Sequence, residues 1–248
     1  MRFITEEIIN PALVTAYEEG MILSREQDLS EDFIWLWKHP KVIYLTKNAT
    51  INHIGEEYVR EVGYPINRSG IFEGTVKSAV IAGDDYSILC SIKNPTFDIK
   101  RVLYKDLWQK IASDYGVVTE FVGNDIIVRG TTRKLFGMVY REVGEFHSGH
   151  CMFSTTTPDV DLSKVFLIRD DVRMFNPIDR ITDIQKETGI IPKKEEIVEK
   201  VKNYLDNLGI IIAEDSISKS EQDIISSLEK KHLSTEWITY ERIKPDFN

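Results

Sequence analysis

Three short β-prone runs, at residues 126–128, 134–141 and 147–154, follow one another across gaps too short for a helix. A stretch of this kind has to become a sheet, and the rest of the chain has to cover it. Residues 33–37 and 42–45 read as two more strands joined by a turn at His39-Pro40. Residues 75–81 and 86–92 flank Gly83-Asp84-Asp85, which reads as a hairpin turn. Helical segments are interleaved with these runs. Asn10-Pro11 supplies a cap and a first-turn proline for a helix reaching about Leu23, and residues 56–62 read as a short helix. Residues 100–115 repeat Leu103, Leu107 and Ile111 every fourth position, with Trp108 beside them and Gly116 closing the helix. Residues 195–208 turn Ile197, Val201, Leu205 and Leu208 inward ahead of Gly209, and residues 220–231 read as a last helix capped by Ser220. The order predicts an α+β fold with a mixed β-sheet core flanked by helices. It shows no firm domain boundary; if one exists, it lies near Pro177 or Pro192.

Composition removes several function classes. At 42% hydrophobic and 29% charged the chain is globular. Its net charge of −9 repels a phosphate backbone, so nucleic acid is not an expected partner. Its apolar runs are too short to span a bilayer. With no apolar leader after Met1 and no disulfide framework around Cys90 and Cys151, a reducing cytoplasm is the expected location.

Chemistry-bearing residues gather in a few places. Asn67-Arg68-Ser69-Gly70 leads to Gly74-Thr75-Val76; an arginine and glycines that admit backbone N–H groups suit a phosphate. Gly123-Asn124-Asp125 precedes one strand, and Arg133-Lys134-Leu135-Phe136-Gly137 opens the next. A lysine on a rigid strand can face both a carboxylate and a phosphate. In Phe146-His147-Ser148-Gly149-His150-Cys151, alternation places His147, Gly149 and Cys151 on one face and Ser148 and His150 on the other, so these side chains do not converge on a metal.

Taken in order with Asn10-Pro11…Ala16-Tyr17-Glu18-Glu19, Asp179-Arg180-Ile181-Thr182-Asp183-Ile184 and His232-Leu233-Ser234-Thr235-Glu236-Trp237, these segments resemble the lipoate–protein ligase family over roughly residues 8 to 240. The resemblance implies a fold like those of biotin ligases and class II tRNA synthetases, with residues 1–248 as a single catalytic domain and no C-terminal accessory domain. It implies an ATP-dependent ligase that activates lipoate or octanoate as acyl-AMP, with magnesium, and transfers it to a lysine of a lipoyl acceptor domain. That acceptor would be a 2-oxoacid dehydrogenase E2 or a glycine cleavage H protein. By the same resemblance Lys134 would be catalytic, and Arg68, Gly74, Thr75, Val76, Asn124 and Asp125 would bind ATP and adenylate, Asp125 through the metal. Lys134, Gly137, His147 and Gly149 would line the lipoyl site, and a separate small accessory subunit would assist activation. The chain departs from the family in keeping one arginine of a pair, in an interrupted glycine run, and in Leu45 where a glycine borders the acyl tail; Leu45 is expected to reshape that pocket. Two other readings stand beside this one: a cysteine-dependent octanoyl or lipoyl transferase using Cys151, and a non-catalytic relative that binds a partner.

Overall fold

The computed structural model describes residues 1–73, 79–82, 85–167 and 180–240. Eleven strands are described: β1 (Arg2–Ile4), β2 (Phe33–Lys38), β3 (Val42–Leu45), β4 (Ile66–Arg68), β5 (Ala79–Ala82), β6 (Tyr86–Lys93), β7 (Thr119–Val122), β8 (Asp125–Val128), β9 (Lys134–Val143), β10 (Phe146–Phe153) and β11 (Ala213–Asp215). Eight form one mixed sheet in the order β11-β1-β2-β6-β10-β9-β8-β7, and β4-β3-β5 form a second, smaller one. The α+β expectation holds, and the run from β8 to β10 is an antiparallel meander.

One local expectation is corrected by the pairing. Residues 75–81 and 86–92 do not make a hairpin: β5 pairs with β3 of the small sheet, while β6 lies between β2 and β10 in the large one. The turn residues Gly83 and Asp84 lie outside the described residues. The two strands expected on either side of the His39-Pro40 turn are present as β2 and β3, and the turn carries the chain from one sheet to the other.

One face of the large sheet packs on the helix Phe97–Arg101, a π-helical segment Val102–Asp106 and the helix Leu107–Asp114, which form one continuous rod, and on the helix Lys194–Asn207. Leu103, Leu107, Trp108 and Ile111 are buried as their spacing predicts, whereas Leu208 points outward at 47% exposure. The other face packs on α1 (Val14–Glu26), the helix Lys219–His232 and the small sheet. Asn10 accepts a hydrogen bond from the Ala12 N–H ahead of α1, as a capping residue should. The last long helix is capped by Ser218, two residues earlier than expected. Glu221 rather than position 223 completes the capping box, and its carboxylate also receives the Arg2 guanidinium at 2.6 Å, tying this helix to β1. Among the described residues no helix is long and apolar enough to cross a membrane.

Candidate functional site

Strand alternation alone puts Lys134 on the same face as Phe136. A register shift between Ile126 and Ile127 changes that: Ile126 pairs with Phe136 but Ile127 pairs with Lys134, leaving Leu135 as the extra residue of a bulge. The bulge turns Lys134 to the face of Asp125 and Gly137, which are directly opposed across β8 and β9. Lys134 Nζ reaches Asp125 Oδ1 at 2.6 Å, and a Cβ built on Gly137 would lie 2.9 Å from Nζ. Gly137 therefore leaves room for a lysine head that any larger residue would crowd. Both charged side chains stay about one-third exposed, so a ligand can reach them. The preceding residue Asn124 is exposed at the turn and accepts the Met138 N–H through its carbonyl.

His147 and Gly149 are not part of this group. Their partners across β9 are Glu142 and Tyr140, and their face is the one covered by the π-helical segment. His147 Nδ1 lies 3.0 Å from the Tyr104 hydroxyl, and a Cβ on Gly149 would fall 1.8 Å from the Tyr104 ring. These two residues shape a packed contact behind the sheet. Cys151 shares their face and is 2% exposed; burial pushes its thiol well above the usual range. The β10 residues on the Lys134 face are Ser148, His150 and Met152, with Met152 opposite Gly137 and His150 opposite Val139.

Beyond His150 lies a buried polar row that the sequence reading did not pick out as a site. The Tyr44 hydroxyl donates to Glu18 Oε2 at 2.8 Å, Glu18 Oε1 lies 3.5 Å from His150 Nδ1, and His150 Nε2 lies 3.1 Å from Ser87 Oγ. Trp37, at 5.6 Å between ring centroids, stacks on His150. Burial pushes the Glu18 carboxyl up to about 8 and His150 down to about 3, so near neutral pH both are uncharged. The signal for Glu18 was present in sequence: it occupies the inward stripe of α1 that also carries Val14, Met21 and Ile22, where a carboxylate is out of place.

This burial has a measurable consequence. The folded chain holds a proton on Glu18 that the unfolded chain, with its ordinary carboxyl value of 4.5, releases. The stability tied to that proton is complete below pH 4.5 and is lost as pH rises toward 8. Glu18→Gln keeps the shape without the ionisation. The melting temperature of the variant relative to wild type is expected to rise by about 4 °C or more between pH 5 and pH 8 in thermal denaturation. A difference that stays flat across this range would contradict the buried neutral carboxyl.

Arg68 is placed elsewhere. Its side chain is fully buried and its guanidinium donates to the carbonyls of Ala49 (2.6 Å), Lys47 (3.1 Å) and Ile238 (2.9 Å), while the Trp237 indole N–H donates to the Arg68 carbonyl. In the structure these donors face main-chain carbonyls inside the fold rather than an open surface. Ser69, next to it, takes the N–H groups of Ile71 and Phe72 on its hydroxyl. Gly74, Thr75 and Val76 lie outside the described residues. Leu45 does not reach the polar row either. It packs beneath the small sheet with Ile43, Ile51, Ile54 and Val59, and Tyr44 is the residue of β3 that faces Glu18. Among the described residues no group of three or more His, Cys, Asp or Glu side chains could hold a metal.

The architecture is the catalytic fold of lipoate–protein ligases. Among solved structures the chain is similar to the bi-partite lipoate protein ligase of Thermoplasma acidophilum, described with its E2 lipoyl domain (TM-score 0.78, 16% identity, 97% of each chain). It is also similar to lipoate-protein ligase A bound with ATP (TM-score 0.77, 15% identity, 96% of this chain and 98% of that one). A third neighbour is LipL1 of P. falciparum in complex with lipoate (TM-score 0.74, 14% identity, 100% of this chain and 75% of that one). No family model matches the chain, and no curated protein matches it in sequence.

Proposed function

We propose that this chain is an ATP-dependent lipoate–protein ligase. The observation that carries the reading is the bulge that brings Lys134 and Asp125 together over Gly137, on a sheet face open to a ligand, in a fold whose solved neighbours are lipoate–protein ligases. In the first step the acid's carboxylate oxygen attacks the α-phosphorus of ATP; the P–O bond to pyrophosphate breaks and acyl-AMP forms. In the second, the amine of an acceptor lysine attacks the acyl carbon, AMP leaves with the bonding pair, and the amine loses a proton as the amide forms.

Lys134 is the group assigned to both steps. Its ammonium stabilises the negative charge that develops on the acyl carbonyl oxygen and on the α-phosphate, and its strand holds it in place. Asp125 keeps that ammonium aimed before substrate arrives. Asn124, exposed beside it, is assigned to the adenylate. A single carboxylate fits magnesium, which is commonly held by one or two carboxylates plus substrate phosphates, so Asp125 is the residue that would hold it; the ion would offset phosphate charge. A thioester route is not favoured, because Cys151 is buried on the opposite face.

The neighbour described with an E2 lipoyl domain supports a lipoyl domain as acceptor, with E2 or glycine cleavage H protein as the candidates. Because that neighbour is bi-partite, we extend the reading to a separately encoded small subunit that assists activation. The test incubates the purified chain with a lipoyl domain and follows the acceptor by intact mass. Lipoate plus ATP, or synthetic lipoyl-AMP alone, is expected to add one lipoyl group to the acceptor lysine. Slow pyrophosphate release from lipoate and ATP beside brisk transfer from lipoyl-AMP would support the missing subunit. No mass shift from either donor would overturn the ligase reading.

A further inference from the structure

Lys134 is the first residue of β9, and it lies where its own sheet gives it least support. The last β10 pair is Phe153 with Phe136, so Leu135 and Lys134 run past the end of that neighbour. On the other side the pairing with β8 is interrupted by the bulge at Leu135. A bulge leaves main-chain groups without ladder partners, and a strand end of this kind frays. A group that stabilises developing charge has to be held to within about 0.5 Å, so another part of the chain has to fix this one.

Residues 180–187 take the vacated place. Ile181 bridges Lys134 in parallel, and the Thr182 N–H donates to the Lys134 carbonyl at 3.0 Å. The segment then follows the chain that leaves β10: the Ile184 and Gln185 N–H groups donate to the carbonyls of Ser154 and Thr155. Its own shape is fixed from within. Buried Asp183 accepts the Lys186 N–H at 2.8 Å and the Thr157 hydroxyl at 2.6 Å, which starts the helix Ile184–Thr188. That helix presents Glu187. Glu187 Oε1 accepts the Thr182 hydroxyl at 2.6 Å, and Oε2 accepts the Arg133 guanidinium at 3.0 Å. One carboxylate thus grips both the residue whose N–H caps Lys134 and the residue that precedes Lys134.

Resting on the ligase reading above, we propose that Glu187 is a positioning residue for Lys134: it braces Arg133 and Thr182 so that the bulge keeps the lysine head over Gly137 and against Asp125. It acts through the main chain, since the lysine head itself is paired with Asp125. The two limbs of the brace differ in strength. Thr182 is 2% exposed and its bond to Glu187 is shielded from water, whereas the Arg133 side chain is 47% exposed and its ion pair is screened. The Thr182 limb therefore carries most of the brace. Without it the strand end loses its cap, and the ammonium meets the developing charge from too far away. A misplacement of about 1 Å can cost as much as ~10²-fold in rate.

The experiment follows transfer from synthetic lipoyl-AMP to a lipoyl domain by intact mass, and the reactivity of Lys134 toward limiting acetic anhydride by peptide mass spectrometry. Glu187→Ala is expected to lower kcat roughly 10–100-fold while KM for lipoyl-AMP moves less than about twofold, because the lysine is displaced and not removed. Glu187→Gln keeps an acceptor for the Thr182 hydroxyl and should recover most of the rate. In a Lys134→Ala chain the same Glu187→Ala substitution should change the rate by less than about twofold, since the brace has nothing left to hold. A loss of the same size in both backgrounds would mean a general loosening of the fold and overturn the proposal. Acetylation of Lys134 should be about 2–5-fold faster in Glu187→Ala, because a lysine released from a partly solvated ion pair is easier to acylate. Unchanged acetylation overturns the brace whatever the activity. Faster acetylation in a chain that transfers nothing, from lipoyl-AMP or from lipoate with ATP, keeps the brace and sinks the ligase reading. If Glu187→Ala fails to fold, Thr182→Val, which removes only the hydroxyl, is read by the same cycle and the same labelling.

Discussion

Lys134→Ala is expected to lower acyl transfer to a lipoyl domain by ~10²–10³-fold, the usual cost of removing one preorganised group at a developing anion. The fold should be untouched, because the side chain is 37% exposed and its ion pair with Asp125 is a partly solvated one of small net worth. Intact-mass kinetics with lipoyl-AMP and a melting curve make the pair of measurements. Lys134→Arg is an informative companion: it retains the charge, but its wider planar head has to fit above Gly137, where the lysine head already stands within contact distance. Retention of more than about a tenth of wild-type transfer by the alanine variant, well short of that loss, would remove Lys134 from the mechanism.

Arg68→Ala is expected to act on stability. The substitution leaves the carbonyls of Ala49, Lys47 and Ile238 without their charged donor inside a fully buried site. A hydrogen bond to a charged donor contributes about 1.5–3 kcal/mol. A loss of at least about 3 kcal/mol corresponds to a melting temperature lower by roughly 6–12 °C for a chain of this size. Arg68→Lys should recover only part of it, because one ammonium on a flexible stem cannot reproduce the fork. A melting temperature within about 2 °C of wild type, less than one kcal/mol in such a chain, together with a raised KM for ATP would return Arg68 to the phosphate role that its sequence context suggests.

The contrast between these two residues shows how far the sequence could be read. Lys134 and Asp125 were visible through their spacing to Gly137, and the structure brings all three together. Arg68 stood out equally, but a buried arginine and an exposed one have the same one-dimensional signature, so its burial could not be read there; burial is decided by segments as distant as Ile238. His147 and Gly149 were grouped with Lys134 although the sheet places them on its other side. Alternation predicted the two faces of β10 correctly. It could not foresee the bulge at Leu135 that moves Lys134 from one face to the other.

By itself the sequence determined the elements and their character. Helical repeats of Leu103, Leu107 and Ile111, turn residues such as Gly116, and the short β-prone runs are local preferences, and local preferences survive into the fold. Tertiary structure alone decided how strands were shared between two sheets, why β5 and β6 part company, and which polar residues meet. Glu18, Tyr44 and His150 lie far apart along the chain and are brought into one row by packing α1 and the small sheet on the same face. Strand pairing and burial are long-range choices, set by which apolar surfaces can be covered together, and no local pattern carries that information.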